Sequence, residues 1–367
     1  MPGPDQQPIL ALGLMSGTSM DGVDAALLVT DGVGVERFGA AVSARYTPED
    51  KAVLRAAVGG EAGEDAEAAA TRVVTDAHIQ AVQALLKLAG CASKDVGVIG
   101  FHGHTIHHDP AKGVTLQIGD AARLAAATGI DVVSDFRAAD MAAGGQGAPL
   151  APVFHAALAR ELVGPTGPVA VLNLGGVGNV TWIGSDQRLL AFDTGPGCAL
   201  IDDWVRASTG DAFDVDGALA SAGLVDEAAL AALLADPYFS KAPPKSLDRD
   251  HFDMGPVDGL SVADGAAVLS AFTAAAVARS ATWFEAPPCR WLVTGGGRHN
   301  GVLMRVLASQ LSAPVEAVEA VGWDGDALEA QAFAYLAVRS LAGMPLSFPL
   351  TTGVAAPLTG GRLTTAT

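Results

Sequence analysis

Two stretches of this chain share one pattern, in which an apolar run enters a turn of small residues and a second apolar run leaves it almost at once. They cover residues 12–28 and 169–183. Apolar runs on either side of a short glycine-containing turn predict two antiparallel strands. Because the pattern opens each half of the chain, it predicts an internal duplication.

The length and composition of the chain favour a folded protein of two domains. Its 367 residues exceed what one hydrophobic core usually supports, and 50% of them are hydrophobic. No apolar stretch is expected to be long enough to span a bilayer, and the N-terminus lacks a signal-peptide pattern. We therefore expect a soluble, unexported protein.

Charge and cysteine content exclude several classes of function. The net charge is -18, and no basic patch is visible among the 22 Lys and Arg, so neither nucleic acid nor an anionic membrane is an expected partner. The three cysteines are widely spaced without a CxxC pair, which argues against a disulfide framework or a zinc site. These features predict a cytoplasmic location.

The first turn is a candidate phosphate-binding site. Its small residues let backbone N–H groups approach an anion, and Thr18 and Ser19 add hydroxyl donors. Asp21 and Asp24 are able to hold a hydrated metal ion. The alternative is an ordinary surface hairpin.

Two polar stretches follow predicted buried strands in the first half. Residues 102–108 contain four histidines, for which a metal site and hydrogen bonding to a sugar or within the loop are all open, although the spacing matches no familiar metal pattern. Residues 135–149 place charged and amide groups among glycines after a strand. Ligands of open α/β sheets collect at such strand ends, so this stretch is a candidate binding loop, and an interdomain linker is compatible with it.

The second half has a carboxylate and a triple glycine at strand ends. Asp193 follows a short apolar run, and Gly295, Gly296 and Gly297 follow another. The glycines match neither the dinucleotide-binding nor the P-loop spacing, but they leave a flat surface on which a purine is able to lie. Asp193 before Thr-Gly is also a common turn former, and Glu329 lies where the first turn of a helix favours a carboxylate.

Six motifs together resemble the anhydro-N-acetylmuramic acid kinase family of the actin, Hsp70 and sugar-kinase superfamily. They occur in order across residues 12–360, and they are GLMSGTSMDGVDAALL, TLQIGD, DFRAADMAAGGQGAPL, LNLGGVGNVTWI, FDTGPG and LVTGGGRHN. The resemblance implies an α/β, two-lobed actin-like ATPase fold of the ribonuclease H-like type, duplicated, with ATP in the interlobe cleft. The expected lobes are residues 1–150 and 151–367, and the C-terminal segment is able to pack back on the first lobe.

The resemblance also implies the residues that bind each substrate. Those expected to bind ATP lie in the two turns and the triple glycine, and they are Gly17, Thr18, Ser19, Met20, Asp21, Gly22, Val23, Asp24, Asn173, Gly175, Gly176, Asn179, Gly295, Gly296 and Gly297. Those expected to bind the sugar lie in the first half, and they are His102, Thr105, Asp120, Asp135, Arg137, Asp140 and Gln146.

The implied reaction joins hydrolysis to phosphoryl transfer. Water opens the 1,6-anhydro bridge of the sugar while the freed O6 takes the γ-phosphoryl group of ATP, giving N-acetylmuramic acid 6-phosphate for peptidoglycan recycling. The resemblance makes Asp193 the base and Glu329 a second carboxylate that shares the water. It also implies Mg²⁺, with Asp21 as its ligand, and a homodimer.

Two positions depart from the family's usual motifs. His104 stands where Gln is usual after His-Gly, and Leu247 and Asp248 stand within the usual KSTGRE motif. Both departures concern the sugar pocket and leave the nucleotide loops untouched. Two alternative functions also stay open: another sugar kinase of the superfamily, or a nucleotide-switched ATPase regulator. The dense hydrogen-bonding residues of loop 135–149 favour a sugar kinase over a regulator.

Overall fold

The computed structural model describes residues 7–58, 63–163 and 167–366. These residues group into two compact units, one formed by residues up to Leu158 together with those from Ala327 onward, the other by Ala159–Asp326. The sequence-based boundary at residue 150 lies ahead of the helix Pro152–Ala159, within which the first structural boundary falls. The division also has a second boundary, after Asp326, which assigns the C-terminal stretch to the first unit.

Runs of one to three strands are followed by runs of one to four α-helices along the described chain. The strands are β1 (Ile9–Ser16), β2 (Gly22–Thr30), β3 (Val35–Arg45), β4 (Val98–Asp109), β5 (Val114–Ile118), β6 (Val132–Ser134), β7 (Val169–Leu174), β8 (Val177–Ile183), β9 (Leu189–Pro196), β10 (Arg290–Thr294), β11 (Val315–Ala317) and β12 (Arg362–Thr364). The α-helices are α1 (Pro48–Ala57), α2 (Glu64–Ala89), α3 (Ala121–Thr128), α4 (Ala138–Ala142), α5 (Pro152–Ala159), α6 (Ala199–Thr209), α7 (Ala218–Ala222), α8 (Glu227–Leu233), α9 (Val262–Ser280), α10 (Gly301–Gln310), α11 (Leu328–Leu341) and α12 (Pro349–Thr352).

The two sheets repeat one topology. In the first unit the order is β12-β6-β4-β1-β2-β3, with β5 added to β4, and in the second it is β11-β10-β7-β8-β9. β1 is antiparallel to β2 and parallel to β4, just as β7 is antiparallel to β8 and parallel to β10. Each sheet thus begins with the strand pair predicted from the sequence, and the duplicated two-sheet α/β architecture is confirmed.

Helix α11 lies directly on the sheet of the first unit because two strand glycines make room for it. A Cβ at Gly13 would stand 1.7 Å from the carbonyl oxygen of Ala330, and one at Gly100 would stand 2.0 Å from that of Phe333. Any side chain there would push the helix away, since real Cβ atoms essentially never approach backbone this closely. This packing holds the first turn of α11, with Glu329, at a defined place on the first unit.

The core of the second unit contains a long apolar helix. Residues 262–280 form α9, a short 3₁₀ turn extends it to Trp283, and most side chains of α9 are buried. The expectation that no apolar stretch is long enough to span a membrane is wrong for Val262–Trp283, the one such helix among the described residues. Two thirds of it is buried inside the protein, as in the core helix of a water-soluble protein, so it is weak evidence for a membrane span.

Candidate active site

Asp193 is held at three points within the second unit. It lies on β9 opposite Asn179, and its backbone N–H donates to the carbonyl oxygen of Lys245 over 3.0 Å. The N–H of Leu247 donates to its carboxylate oxygen Oδ2 over 2.8 Å. The hydroxyl of Tyr238 donates to its backbone carbonyl over 2.6 Å. The strand and the segment 245–247 therefore restrict both the backbone and the side chain of Asp193.

The environment of Asp193 suits a proton acceptor at neutral pH. Burial raises the pKa of its carboxyl group from the ordinary 3.8 to about 7, and the hydrogen bond from Leu247 opposes this rise. A group with a pKa near the working pH is partly deprotonated and still basic enough to take a proton. Among the carboxylates predicted as site residues, Asp193 thus has the properties of a general base.

The sequence departure at Leu247 leaves this arrangement intact. Leu247 contacts the carboxylate of Asp193 through its backbone N–H, which any residue other than proline provides. Its side chain packs against the apolar cluster of α6, α8 and α9. Sequence reasoning missed Tyr238 and the pairing of Lys245 with Asp193, because hydrogen bonds of the main chain leave no residue pattern.

The second turn and the triple glycine lie against each other. A Cβ at Gly295 would stand 2.3 Å from the side-chain oxygen of Asn173, and one at Gly297 would stand 2.7 Å from Cβ of Leu174. Gly295 also has a φ of +78°, whereas a Cβ at Gly296 would meet nothing within 4 Å. β7 and β10 are neighbouring parallel strands, so their C-terminal ends bring these predicted ATP-binding residues together.

The remaining predicted residues of the second turn contact β9 and the segment that leads into α6. Gly175 and Gly176 accept backbone hydrogen bonds from Gly197 and Cys198, at the N-terminal end of α6, over 2.7–2.9 Å. Asn179 lies on β8 opposite Asp193. The carbonyls of the two glycines are thus engaged within the protein.

The first turn is a tight, partly exposed bend between β1 and β2. The N–H of Met20 donates to the carbonyl oxygen of Gly17 over 3.0 Å, and Met20 has a φ of +57°. Thr18 and Ser19 are exposed between them. Asp21 is also exposed, and its carboxylate lies 3.6 Å from the ammonium of Lys51.

Two other residues predicted in this turn face away from it. Val23 is fully buried in the core of the first unit, so only its backbone is available to a ligand. Asp24 accepts a hydrogen bond from the hydroxyl of Ser43 on β3. Gly22 is needed for sheet packing, since a Cβ there would stand 2.2 Å from the carbonyl oxygen of Ala44.

A buried polar cluster supports the first turn, and the sequence reasoning missed it. The Ser16 hydroxyl lies 2.9 Å from the Tyr46 hydroxyl and 2.9 Å from Nδ1 of His104. The N–H of Tyr46 donates to the carbonyl oxygen of Asp21 over 3.1 Å, so Tyr46 contacts both ends of the turn. Burial lowers the pKa of His104 to about 4, which keeps it neutral. His104 thus supports the turn through its hydrogen bond with Ser16.

Arg137 and His102 form a second polar centre, within the first unit. Nε and Nη2 of Arg137 donate to Nε2 of His102 over 3.1 and 2.9 Å, and Nη1 donates to the carbonyl oxygen of Gly147 over 2.7 Å. His102 stays neutral, because burial and the charge of Arg137 hold its pKa well below the ordinary value. Arg137 therefore joins β4 to the loop that carries Gln146.

Asp140 lies beneath this loop. Its two carboxylate oxygens accept hydrogen bonds of 2.6 Å from the N–H of Gly147 and from the hydroxyl of Thr352, and its side chain is buried. The N–H of Gln146 donates to the carbonyl oxygen of Thr352 over 2.7 Å. Asp140 and Thr352 thus hold the backbone of the loop at Gln146 and Gly147.

Three other predicted sugar-binding residues lie elsewhere on the same unit or have contacts of their own. Asp120 caps the N-terminus of α3 through the N–H of Arg123, over 2.9 Å. The hydroxyl of Thr105, on β4, accepts from the side chain of Gln117 over 3.2 Å. Asp135 is largely exposed with a φ of +56°, and partial desolvation of its carboxylate raises its pKa, which the charge of Arg362 opposes. None of these roles excludes a ligand contact.

Glu329 is exposed at the start of α11. Its charge acts on Arg137 and partly offsets the effect of burial, which lowers the pKa of that guanidinium to about 10. Arg137 nevertheless stays protonated at neutral pH. Glu329 is thus electrostatically linked to the polar centre of the first unit.

A bound Mg²⁺ would take part of its coordination from the phosphate oxygens of the nucleotide and from water. Among the residues that the structure describes, no three His, Cys, Asp or Glu side chains are grouped so as to hold an ion. This includes the histidines of residues 102–108. Mg²⁺ commonly takes one or two carboxylates, water and phosphate oxygens, and the exposed carboxylate of Asp21 fits that kind of coordination.

Comparison with known proteins gives a consistent result over almost the whole chain. The family model described as anhydro-N-acetylmuramic acid kinase matches residues 9–366. The curated anhydro-N-acetylmuramic acid kinase of Paramagnetospirillum magneticum is 59% identical over 358 residues, which is 96% of this chain and 99% of the relative. That of Rhodospirillum rubrum is 56% identical over 356 residues, covering 96% and 93%.

Solved structures show a more distant likeness. An activator of 2-hydroxyisocaproyl-CoA dehydratase from Clostridium difficile, with bound ADPNP, has a TM-score of 0.45 and 12% identity, covering 91% of this chain and 97% of its own. A ROK family glucokinase from Streptomyces griseus, in complex with glucose and AMPPNP, has a TM-score of 0.43 and 15% identity, covering 89% and 98%.

Proposed function

The chain belongs to the anhydro-N-acetylmuramic acid kinase family, and from this premise we propose how its residues carry out the reaction. Its activity is that of the family, the ATP-dependent phosphorylation of anhydro-N-acetylmuramic acid. Its repeated two-sheet topology is that of the actin-like ATPase fold class. The family and the activity are thus known, whereas the roles of individual residues are our proposal.

The reaction has one water, one sugar and one ATP as its reactants. A base takes a proton from water, the oxygen of that water bonds to the anomeric carbon, and the bond from this carbon to O6 breaks. O6 then bonds to the γ-phosphorus while the bond from that phosphorus to ADP breaks. The products are N-acetylmuramic acid 6-phosphate, ADP and the proton on the base.

Asp193 is the base in this proposal. The observation that carries the assignment is its partly buried carboxylate, which is held by the N–H of Leu247 and whose pKa is raised to about 7. We assign to Glu329 the role of a second carboxylate that orients the same water. Its exposure leaves its carboxylate accessible to a ligand.

The phosphates of ATP are assigned to the two glycine turns, and adenosine to the triple glycine. The exposed hydroxyls of Thr18 and Ser19 and the open face of Gly296 support these assignments. Asp21 would hold Mg²⁺, which would neutralise charge on the transferring phosphoryl group. Val23 and Asp24 contribute by fixing β2, since their side chains face other protein groups.

The sugar is assigned to the first unit. Arg137 and His102 form the polar centre there, joined to the loop that carries Gln146, and the guanidinium suits recognition of the lactyl carboxylate that muramic acid carries. Asp140 acts indirectly, by fixing the loop. Thr105, Asp120 and Asp135 stay candidates for peripheral contacts.

We further propose that the protein is a cytoplasmic homodimer. The three cysteines are free, which suits a reducing compartment. Size-exclusion chromatography with light scattering at several protein concentrations tests the dimer, which a mass of one chain throughout would contradict.

The experiment that tests the function is a coupled assay. Purified protein is incubated with ATP, Mg²⁺ and 1,6-anhydro-N-acetylmuramic acid, ADP release is followed, and the product is identified by mass spectrometry. We expect sugar-dependent ADP release with equal amounts of ADP and N-acetylmuramic acid 6-phosphate. In H₂¹⁸O, one ¹⁸O should enter the product at the anomeric carbon. Sugar-independent ADP release would instead indicate a nucleotide-switched ATPase.

A further inference from the structure

Lys245 is a buried cation next to the proposed base, and the reaction described above does not use its ammonium. This ammonium donates to the carbonyl oxygen of Tyr238 over 3.1 Å, and the residue is 8% exposed. It lies 4.4 Å from the ring centroid of Tyr238, 5.7 Å from that of Phe192 and 5.8 Å from that of Trp283. All three distances are within the range in which an aromatic face attracts a cation.

The backbone of the same residue belongs to the segment that holds Asp193. The carbonyl oxygen of Lys245 accepts the N–H of Asp193 over 3.0 Å, and two residues later Leu247 donates to the carboxylate over 2.8 Å. Phe192 precedes Asp193 on β9, and Tyr238 donates to the carbonyl of Asp193. Two of the three aromatic rings around the ammonium are therefore linked to Asp193, that of Phe192 through the strand and that of Tyr238 through a hydrogen bond.

We propose that Lys245 is a positioning residue, whose buried ammonium fixes segment 245–247 so that the N–H of Leu247 meets the carboxylate of Asp193. The inference rests on the proposed role of Asp193 as the base. Without the ammonium, the aromatic faces and the carbonyl of Tyr238 lose their common partner, and the segment is free to move away from β9. The hydrogen bond from Leu247 is then weakened, while the fold of the second unit is kept.

This role has an electrostatic consequence for the base. The Leu247 hydrogen bond stabilises the ionised carboxylate and lowers the pKa of Asp193, which burial raises. Of the ionisable groups packed around Asp193, Tyr238 donates to its backbone carbonyl, and the ammonium of Lys245 lies 4.4 Å from the centroid of the Tyr238 ring. Loss of the Leu247 bond should therefore raise the pKa of Asp193 further and move the acid limb of activity to higher pH.

The test compares Lys245→Met with Lys245→Arg, and with Lys241→Met as the matched control. Lys241 is an exposed lysine whose ammonium lies 5.8 Å from the same Tyr238 ring, so its removal costs the same formal charge. For Lys245→Met we expect kcat to fall on the order of tenfold with the KM for ATP little changed. We expect the apparent pKa of the acid limb of kcat/KM to shift upward by about one pH unit. Lys245→Arg should recover part of both, and Lys241→Met should match the parent.

A second measurement does not depend on activity. Amide hydrogen exchange of segment 245–247 should be faster in Lys245→Met than in the parent, while exchange in β10 stays the same. If Lys245→Met does not fold, Lys245→Gln replaces it, because the glutamine amide keeps N–H donors without the charge. We then expect the same direction of change at smaller size.

The outcomes separate this inference from the proposed function. An unchanged pH profile and unchanged exchange in Lys245→Met, or in Lys245→Gln where that variant is used, would overturn the role of Lys245, even if Asp193→Asn is inactive. An active Asp193→Asn would instead overturn the proposed base. Equal losses in Lys245→Met and Lys241→Met would mean that only net charge matters, and would also contradict the positioning role.

Discussion

The backbone N–H of Leu247 donates a 2.8 Å hydrogen bond to the carboxylate of Asp193, across 54 residues of sequence. This single contact stabilises the ionised carboxylate at a place where burial favours the protonated one. The balance leaves the pKa of Asp193 at about 7, which suits a base that must take a proton from water and later release it.

Replacing Asp193 by asparagine should abolish turnover and leave ATP binding intact. Asparagine keeps an oxygen that accepts from Leu247 but cannot take a proton from water. We expect a loss of roughly 10²–10⁴-fold in kcat, the usual contribution of a general base. Steady-state kinetics and calorimetric ATP titration measure the two effects. A variant that keeps most of its rate would remove Asp193 from the mechanism.

The same substitution should raise thermal stability more at pH 8 than at pH 5. Because burial raises the pKa of Asp193 above its unfolded value, its contribution to stability is fully present below the unfolded pKa and is lost as pH rises through about 7. Asparagine avoids the buried charge. Each kcal/mol recovered at pH 8 should raise Tm by about 2–4 °C. Calorimetry at both pH values gives the comparison, and a lower Tm at pH 8 would contradict it.

Activity should rise with pH through about 7. Asp193 acts as a base only when deprotonated, so kcat/KM for the sugar should fall tenfold per unit on the acid side of its pKa. A pH series between 5 and 9, with saturating MgATP, measures this limb. An acid limb centred near the ordinary pKa of aspartate would show that burial does not control this group.

Changing Asp21 to asparagine should weaken binding of MgATP much more than binding of ATP without the metal. The carboxylate also pairs with Lys51 at 3.6 Å, so Lys51→Met is the matched control. If Asp21 acts through Mg²⁺, Lys51→Met should leave MgATP affinity nearly unchanged. Equal losses in the two variants would assign Asp21 to the ion pair instead.

Two glycine substitutions separate the shape of the adenosine loop from its surface. Gly295→Ala would place a Cβ against Asn173 at a φ of +78°, and we expect destabilisation of about 1–3 kcal/mol. Gly296→Ala meets nothing within 4 Å, so the free energy of unfolding should not change, whereas the KM for ATP should rise. Denaturant unfolding and kinetics measure the pair. Unchanged ATP kinetics in Gly296→Ala would argue against adenosine at this loop.

Removing the guanidinium of Arg137 should affect the sugar and spare the nucleotide. Arg137→Ala loses the hydrogen bonds to His102 and Gly147, so we expect a higher KM for the sugar and an unchanged KM for ATP. Arg123, which pairs with Asp76 on the surface of the same unit, provides the control Arg123→Ala. Similar sugar kinetics in the two variants would place the sugar elsewhere.

The residue pattern alone predicted the paired strands, the duplication and the candidate loops. The strand pairs could be predicted because a short turn between two apolar runs favours antiparallel pairing of segments that are neighbours in sequence, as in β1–β2 and β7–β8. Tertiary structure decided which side chains are available to a ligand. It buried Val23, engaged both oxygens of Asp140 within the first unit and brought Lys245, Leu247 and Tyr238 to Asp193. Backbone hydrogen bonds between segments that are distant in sequence are formed only when tertiary packing brings the segments together. Because every residue except proline has the same backbone donor and acceptor, no residue pattern predicts these bonds.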